Sequence, residues 1–92
     1  MATSSIDRLS VEATLRDYLV ENSNVSIPGP LGPDENLLDG GILDSLGIAE
    51  ITEFMEKNFS IVIDEDEVSS RNYGTLHKLT DFCHSKLVDI AA

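Results

Sequence analysis

Apolar residues recur along this chain at helical spacing. In "SIDRLSVEATLRDYLVEN", Val11, Leu15, Tyr18 and Leu19 fall on one face of a helix, with Ile6 and Leu9 before them. This predicts a helix that starts between Ile6 and Val11 and ends near Asn22. Asn22, Ser23 and Asn24 favour that stop, because short polar side chains compete for backbone hydrogen bonds. A second apolar line, Ile48, Ile51, Met55 and Phe59, predicts a helix from Ser45 to Asn58. Asp44 stands where its carboxylate can cap the first turn. The opposite face of this helix carries Ala49, Glu50, Thr52, Glu53 and Glu56. A third line, Leu76, Leu79, Phe82, Cys83, Leu87 and Ile90, predicts a last helix capped by Thr75.

The segments between these helices read differently. "VSIPGPLGPDENLLDGG" holds all three prolines and four of the six glycines, which excludes regular structure. With its flanks it makes a loop of about twenty residues, long for a small domain. Leu31, Leu37, Leu38 and Ile42 predict that it packs over the core. "FSIVID" alternates like a strand, but here it reads as an extended link that turns Ile61 and Ile63 inward. "DEDEVSS" reads as a short acidic helix or turn anchored by Val68, broken by "RNYG". The expected fold class is all-α: a small four-helix bundle with three longer helices, one short helix and a long first loop, in a single domain over residues 1–92.

Charge narrows the classes of partner. Seventeen acidic and six basic residues give a net charge of −11, which repels nucleic acid and anionic membranes. Partners with basic patches are expected, met quickly and in a salt-dependent way. Cys83 is the only cysteine, so no internal disulfide can form. "MATSSIDRLS" lacks the basic start and apolar run of a signal peptide, and no segment reaches membrane-spanning length. A cytoplasmic monomer is expected.

Little of the chain offers catalytic chemistry. His77 and His84 lie two helical turns apart, too far to share a metal ion without other ligands. Cys83 falls on the apolar stripe and reads as a small core residue. "DEDEVSSRNYGT" carries the acids of a calcium loop, but Val68 and Ser69 stand where a ligand and a glycine are needed. No metal site and no catalytic residue is expected, so the chain does not read as an enzyme. Ser45 remains. It follows Gly40 and Gly41 closely, opens an acidic helix and has no base to activate it, so another protein would have to modify it. The free amides and positive dipole end of a helix start favour a phosphate attached there.

With these residues placed, the chain resembles the acyl carrier proteins and the similar peptidyl carrier domains. "LLDGGILDSLGIAEITEFMEKNFSIVIDEDEV" is similar to the family's signature region, with Asp44-Ser45-Leu46 matching its Asp-Ser-Leu. The likeness continues through Glu50, Phe59, Ile63 and "RNYGTLHKL", and covers roughly Leu9 to Val88.

The resemblance implies that Ser45 accepts 4'-phosphopantetheine from coenzyme A through a separate phosphopantetheinyl transferase. The arm would carry acyl or aminoacyl groups as thioesters between biosynthetic enzymes of fatty acid, polyketide or nonribosomal peptide type. It implies partner contacts at Asp44, Leu46, Ala49, Glu50, Glu53 and Glu56, with Ile63 near the arm or at the mouth of a cargo cavity. The implied partners are the transferase, an acyl- or aminoacyl-loading ligase and downstream synthases with basic docking patches. Gly47, Glu53 and Lys57 depart from the fatty-acid carriers, which have other residue types there. Two alternatives stand beside this reading: a peptidyl or aminoacyl carrier, D-alanyl included, and an unmodified acidic adaptor that binds a basic partner.

Overall fold

The computed structural model describes residues 7–23 and 31–91, with side chains as far as Leu87. Asp7 opens helix α1 (Arg8–Asn22), its carboxylate accepting from the Ser10 amide at 2.8 Å. That bond satisfies one of the orphan donors of the first turn. It also holds the Asp7 carboxyl below its ordinary range, through the Ser10 backbone amide and then the Ser10 side chain. The helix ends at Ser23, whose extended backbone sends its amide back to the Leu19 carbonyl. Val11, Leu15 and Leu19 are buried and Tyr18 packs beside them, as their spacing predicts. Leu9 points to solvent, 73% exposed. Ile6 lies outside the described residues, as do residues 24–30.

From Leu31 onward, the long loop is tied down by its backbone. Leu37 donates to the Gly74 carbonyl, and Leu43 donates to that of Leu37, both at 2.8 Å. Arg16 Nε donates to the Leu31 carbonyl at 3.1 Å. Leu31, Leu37 and Leu43 are buried, and Leu38 and Ile42 pack against the core. Gly40 is required here, because a Cβ would come within 2.5 Å of the Asn36 carbonyl oxygen. Gly41 takes a left-handed φ of 79° that other residues resist.

Helix α2 spans Ser45–Phe59 and buries Ile51, Met55 and Phe59, with Ile48 half-buried. Ser60 ends it in the left-handed region. Ile61 and Ile63 turn inward from the extended link, and Val62 faces solvent. A 3-10 turn follows at Glu65–Glu67, then the one-turn helix α3 at Ser70–Tyr73. The acidic stretch forms the short helix or turn that its sequence predicts, but "RNYG" does not simply break it: "RNY" is itself helical. The reason is tertiary. Tyr73 is buried at 1% exposure, and Asn72 Nδ2 donates to the Glu67 carbonyl at 2.8 Å.

Helix α4 (Leu76–Ala91) packs along α1 and α3. Thr75 Oγ1 accepts from the Lys78 amide at 3.1 Å, the cap its position predicts. The Pro33 carbonyl takes the His77 amide at 2.8 Å, so the long loop helps to cap α4. Leu76, Leu79, Phe82 and Cys83 are buried and Leu87 packs beside them. The Ile90 side chain lies outside the described residues. Arg8 clasps the two long helices by reaching Asp81 and the His77 ring. Arginine only donates, so His77 Nδ1 accepts and the ring proton faces Asp81 from Nε2. Lys86 binds Glu67 at 2.7 Å across to the 3-10 turn. This Lys86 hydrogen bond is the main cause that holds the Glu67 carboxyl low. The result is the expected all-α four-helix bundle, with residues 31–43 of the first loop laid over its core.

Candidate functional site

The candidate site is built on the first turn of α2. Asp44 is extended, and its carboxylate accepts from the Gly47 amide at 2.7 Å. Its carbonyl takes the Ile48 amide at 2.8 Å, the first bond of the helix. Among the described residues, no backbone carbonyl takes the amides of Ser45 and Leu46. Two donors and the positive end of the helix dipole therefore face outward at this turn.

Ser45 is exposed, and its hydroxyl has no hydrogen-bond partner among the described residues. Neither a histidine nor a carboxylate is paired with it. His77 is engaged by Arg8 and Asp81, and Cys83 is buried with its thiol pushed up to about 12 by desolvation. Leu46 is 62% exposed, a large apolar side chain in solvent beside the serine. Among the described residues, no three histidine, cysteine or acidic side chains gather to hold a metal ion.

The acids of α2 divide into two groups. Glu50 and Glu53 point outward, and Glu53 meets only the exposed Lys57, at 3.5 Å. Ala49 is exposed between them and the serine. Glu56 is half-buried, and its carboxylate accepts from the Ile63 amide at 3.0 Å. It therefore holds the extended link against α2. Ile63 itself lies in the core. Behind the cap, Tyr18, Ile42, Asp44, Gly47 and Glu50 line a notch of about 10 Å³, room for one water. Burial raises the Tyr18 phenol, and the Glu50 and Glu53 carboxylates raise it further. Its ring stacks on Phe54 at 4.2 Å, which joins α1 to α2.

Thr52 departs from its expected place on the outer face. It is half-buried, and its hydroxyl lies 2.7 Å from both the Ile48 carbonyl and the Tyr73 hydroxyl. This pair ties α2 to α3 beneath the site. Nothing local announces it, because Tyr73 lies 21 residues further on.

No family model matches the chain. Fold and site together make a small bundle of four helices, with an exposed serine at the capped start of the second. Curated proteins named as carriers are similar to it in sequence over about half of the chain. It is 35% identical over 46 residues to the D-alanyl carrier protein of Streptococcus suis, covering 50% of this chain and 58% of that one. It is 35% identical over 48 residues to the protein of the same name from Streptococcus uberis, covering 52% of this chain and 61% of that one. A third of that name, from Streptococcus mutans serotype c, is 33% identical over 48 residues, with the same coverage. The chain thus spans about three fifths of the length of these relatives.

Proposed function

We propose that this chain is a carrier protein that accepts 4'-phosphopantetheine on Ser45 and performs no catalysis itself. One observation carries the reading. Ser45 offers an exposed, unbonded hydroxyl at the first position of a capped helix. That geometry suits a serine that another enzyme must reach. The residues also fit the group's phosphate. The Ser45 and Leu46 amides stand free beside the hydroxyl, at the end of the helix that favours negative charge. Asp44 opposes that charge in part, but its carboxylate is engaged by the Gly47 amide. When bound, the arm would supply a terminal thiol that holds acyl or aminoacyl cargo as a thioester. The chain's own residues would present the serine, position the arm's phosphate and dock partners through Leu46, Ala49, Glu50 and Glu53. Partners would be a phosphopantetheinyl transferase, a loading ligase and synthases with basic patches, met as a cytoplasmic monomer.

Small aminoacyl cargo is the favoured class. The curated relatives are named for a D-alanyl group. In addition, Tyr73 fills the space beneath α2 and is bonded to it, and Phe82 packs 6.0 Å from its ring. A long acyl tail would have to displace both rings. The test is intact-protein mass after incubation with coenzyme A, Mg²⁺ and a broad-specificity phosphopantetheinyl transferase. A gain of one arm that is absent in Ser45→Ala supports the reading. No gain in folded apo protein overturns it in favour of the unmodified acidic adaptor.

A further inference from the structure

Six cations serve this acidic chain, and four of them are in ion pairs. Arg8 meets Asp81 and Glu12, Arg16 meets Glu12, Lys57 meets Glu53, and Lys86 meets Glu67. Arg71 and Lys78 pair with no carboxylate among the described residues, although acidic side chains outnumber basic ones by 17 to 6. Both line one cleft of about 230 Å³, between the turn at 36–39 and the corner where α3 meets α4. Cations left unpaired in so negative a molecule, and gathered at one concavity, call for an anion from outside the fold.

We propose that this cleft binds an oxyanion of the phosphate class. Arg71 supplies a planar fork of donors, and Lys78 a compact charge from the other side of the corner. Two hydroxyls line the same cleft. Thr75 Oγ1 accepts from the Lys78 amide, so its proton is free to donate outward. The Ser70 hydroxyl has no partner among the described residues. One carboxylate, Asp39, shares the cleft. It lies beyond ion-pair range of either cation and accepts from the Asn36 side chain at 3.2 Å. Asp39 weakens the site without cancelling it, since the charged lining remains net positive. This inference does not depend on Ser45 being modified.

The test is a titration of uniformly labelled apo protein with inorganic phosphate, followed by amide shifts at constant ionic strength with chloride as the reference. Saturable shifts confined to residues 36–39 and 70–78 are expected. Arg71→Ala and Lys78→Ala together should weaken them at least about tenfold, the loss expected from even one charge-assisted hydrogen bond. Both side chains are exposed, so the variants should keep the helical spectrum. A parallel titration of phosphopantetheinylated protein identifies the source of the phosphate. If the same amides have already shifted and no longer respond, the arm's own phosphate occupies the cleft. If they respond as in the apo form, the site takes a free phosphate. Shifts equal to those from chloride, shifts centred on residues 45–47, or shifts unchanged in the double variant would overturn the proposal. Failure of the serine to accept the arm would leave the apo titration intact.

Discussion

The hydroxyl pair between Thr52 and Tyr73 lends itself to a double-mutant cycle whose asymmetry is fixed by the geometry. The Thr52 proton is committed to the Ile48 carbonyl at 2.7 Å, so the Tyr73 hydroxyl donates to Thr52 Oγ1 at 2.7 Å. Tyr73→Phe removes the donor and leaves Thr52 still bonded to the backbone. Its loss is one ordinary hydrogen bond, about 1 kcal/mol. Thr52→Val removes the acceptor and keeps the side-chain shape. It strands the Tyr73 hydroxyl, on a residue only 1% exposed, with a penalty of roughly 1–3 kcal/mol. Threonine and valine have similar helix propensity, so that difference adds little. The double variant should be no worse than Thr52→Val alone, because the stranded hydroxyl is then gone. Urea unfolding of the apo protein by circular dichroism measures all three, and thermal midpoints should shift by about 4–8 °C per kcal/mol. Equal losses for the two single variants, or strict additivity in the double, would refute the donor assignment and the latch with it.

Three other outcomes follow from single residues. Ser60→Gly should stabilise by roughly 0.5–1 kcal/mol, because relief of a left-handed φ of 57° outweighs the added chain entropy; a loss in the same unfolding assay would mean that the Ser60 side chain has a use. Thr80→Val should leave stability unchanged or raise it by about 1 kcal/mol, since Oγ1 is fully buried with no partner among the described residues; a clear loss would reveal a bound water. The raised Cys83 thiol stabilises the fold fully below its unfolded value near 9, and that stability is lost as pH rises toward about 12. Alkaline unfolding should therefore begin later in Cys83→Ala, with Tyr18 and Tyr73 contributing in the same direction in both proteins.

Features that depend on neighbours within one helical turn were legible in the sequence. Asp44, Thr75 and the apolar lines of α1, α2 and α4 all belong to this class, because a cap or a stripe needs only residues three or four apart. Leu9 could have been read correctly by the same rule. Two residues before Val11 on a helix, it points away from the face that Val11, Leu15 and Leu19 share. Other features were set at a distance. Helix α3 is too short for a periodic signal and exists through Tyr73, Asn72 and the Gly74 carbonyl that takes the Leu37 amide. Thr52 and Glu56 look like outer-face residues until their partners, Tyr73 and the Ile63 amide, arrive from later in the chain. Of the site, Ser45 and its cap were visible early. The inward use of Glu56 was not, and neither was the cleft that brings Arg71 and Lys78 together.

Two features at the start of α2 work against helix stability, and only one has a reason inside the fold. Gly47 lowers helix propensity by about 1 kcal/mol relative to alanine. A Cβ there would lie 3.2 Å from Asp44 Oδ1 and 3.4 Å from Leu43 Cδ2, so a larger residue would need the cap carboxylate to give by a few tenths of an ångström, and glycine leaves it room. The outward acids have no such account. Glu50 and Glu53 stand three apart on the same exposed surface, where like charges repel. The single cation beside them, Lys57, is 77% exposed, and a surface pair of that kind contributes little. Meanwhile Arg8, Arg16 and Lys86 neutralise carboxylates elsewhere. Packing therefore does not explain why the surface beside Ser45 stays negative and keeps Leu46 in solvent. The basic partner proposed above would account for both, steered by the charge and held by the leucine.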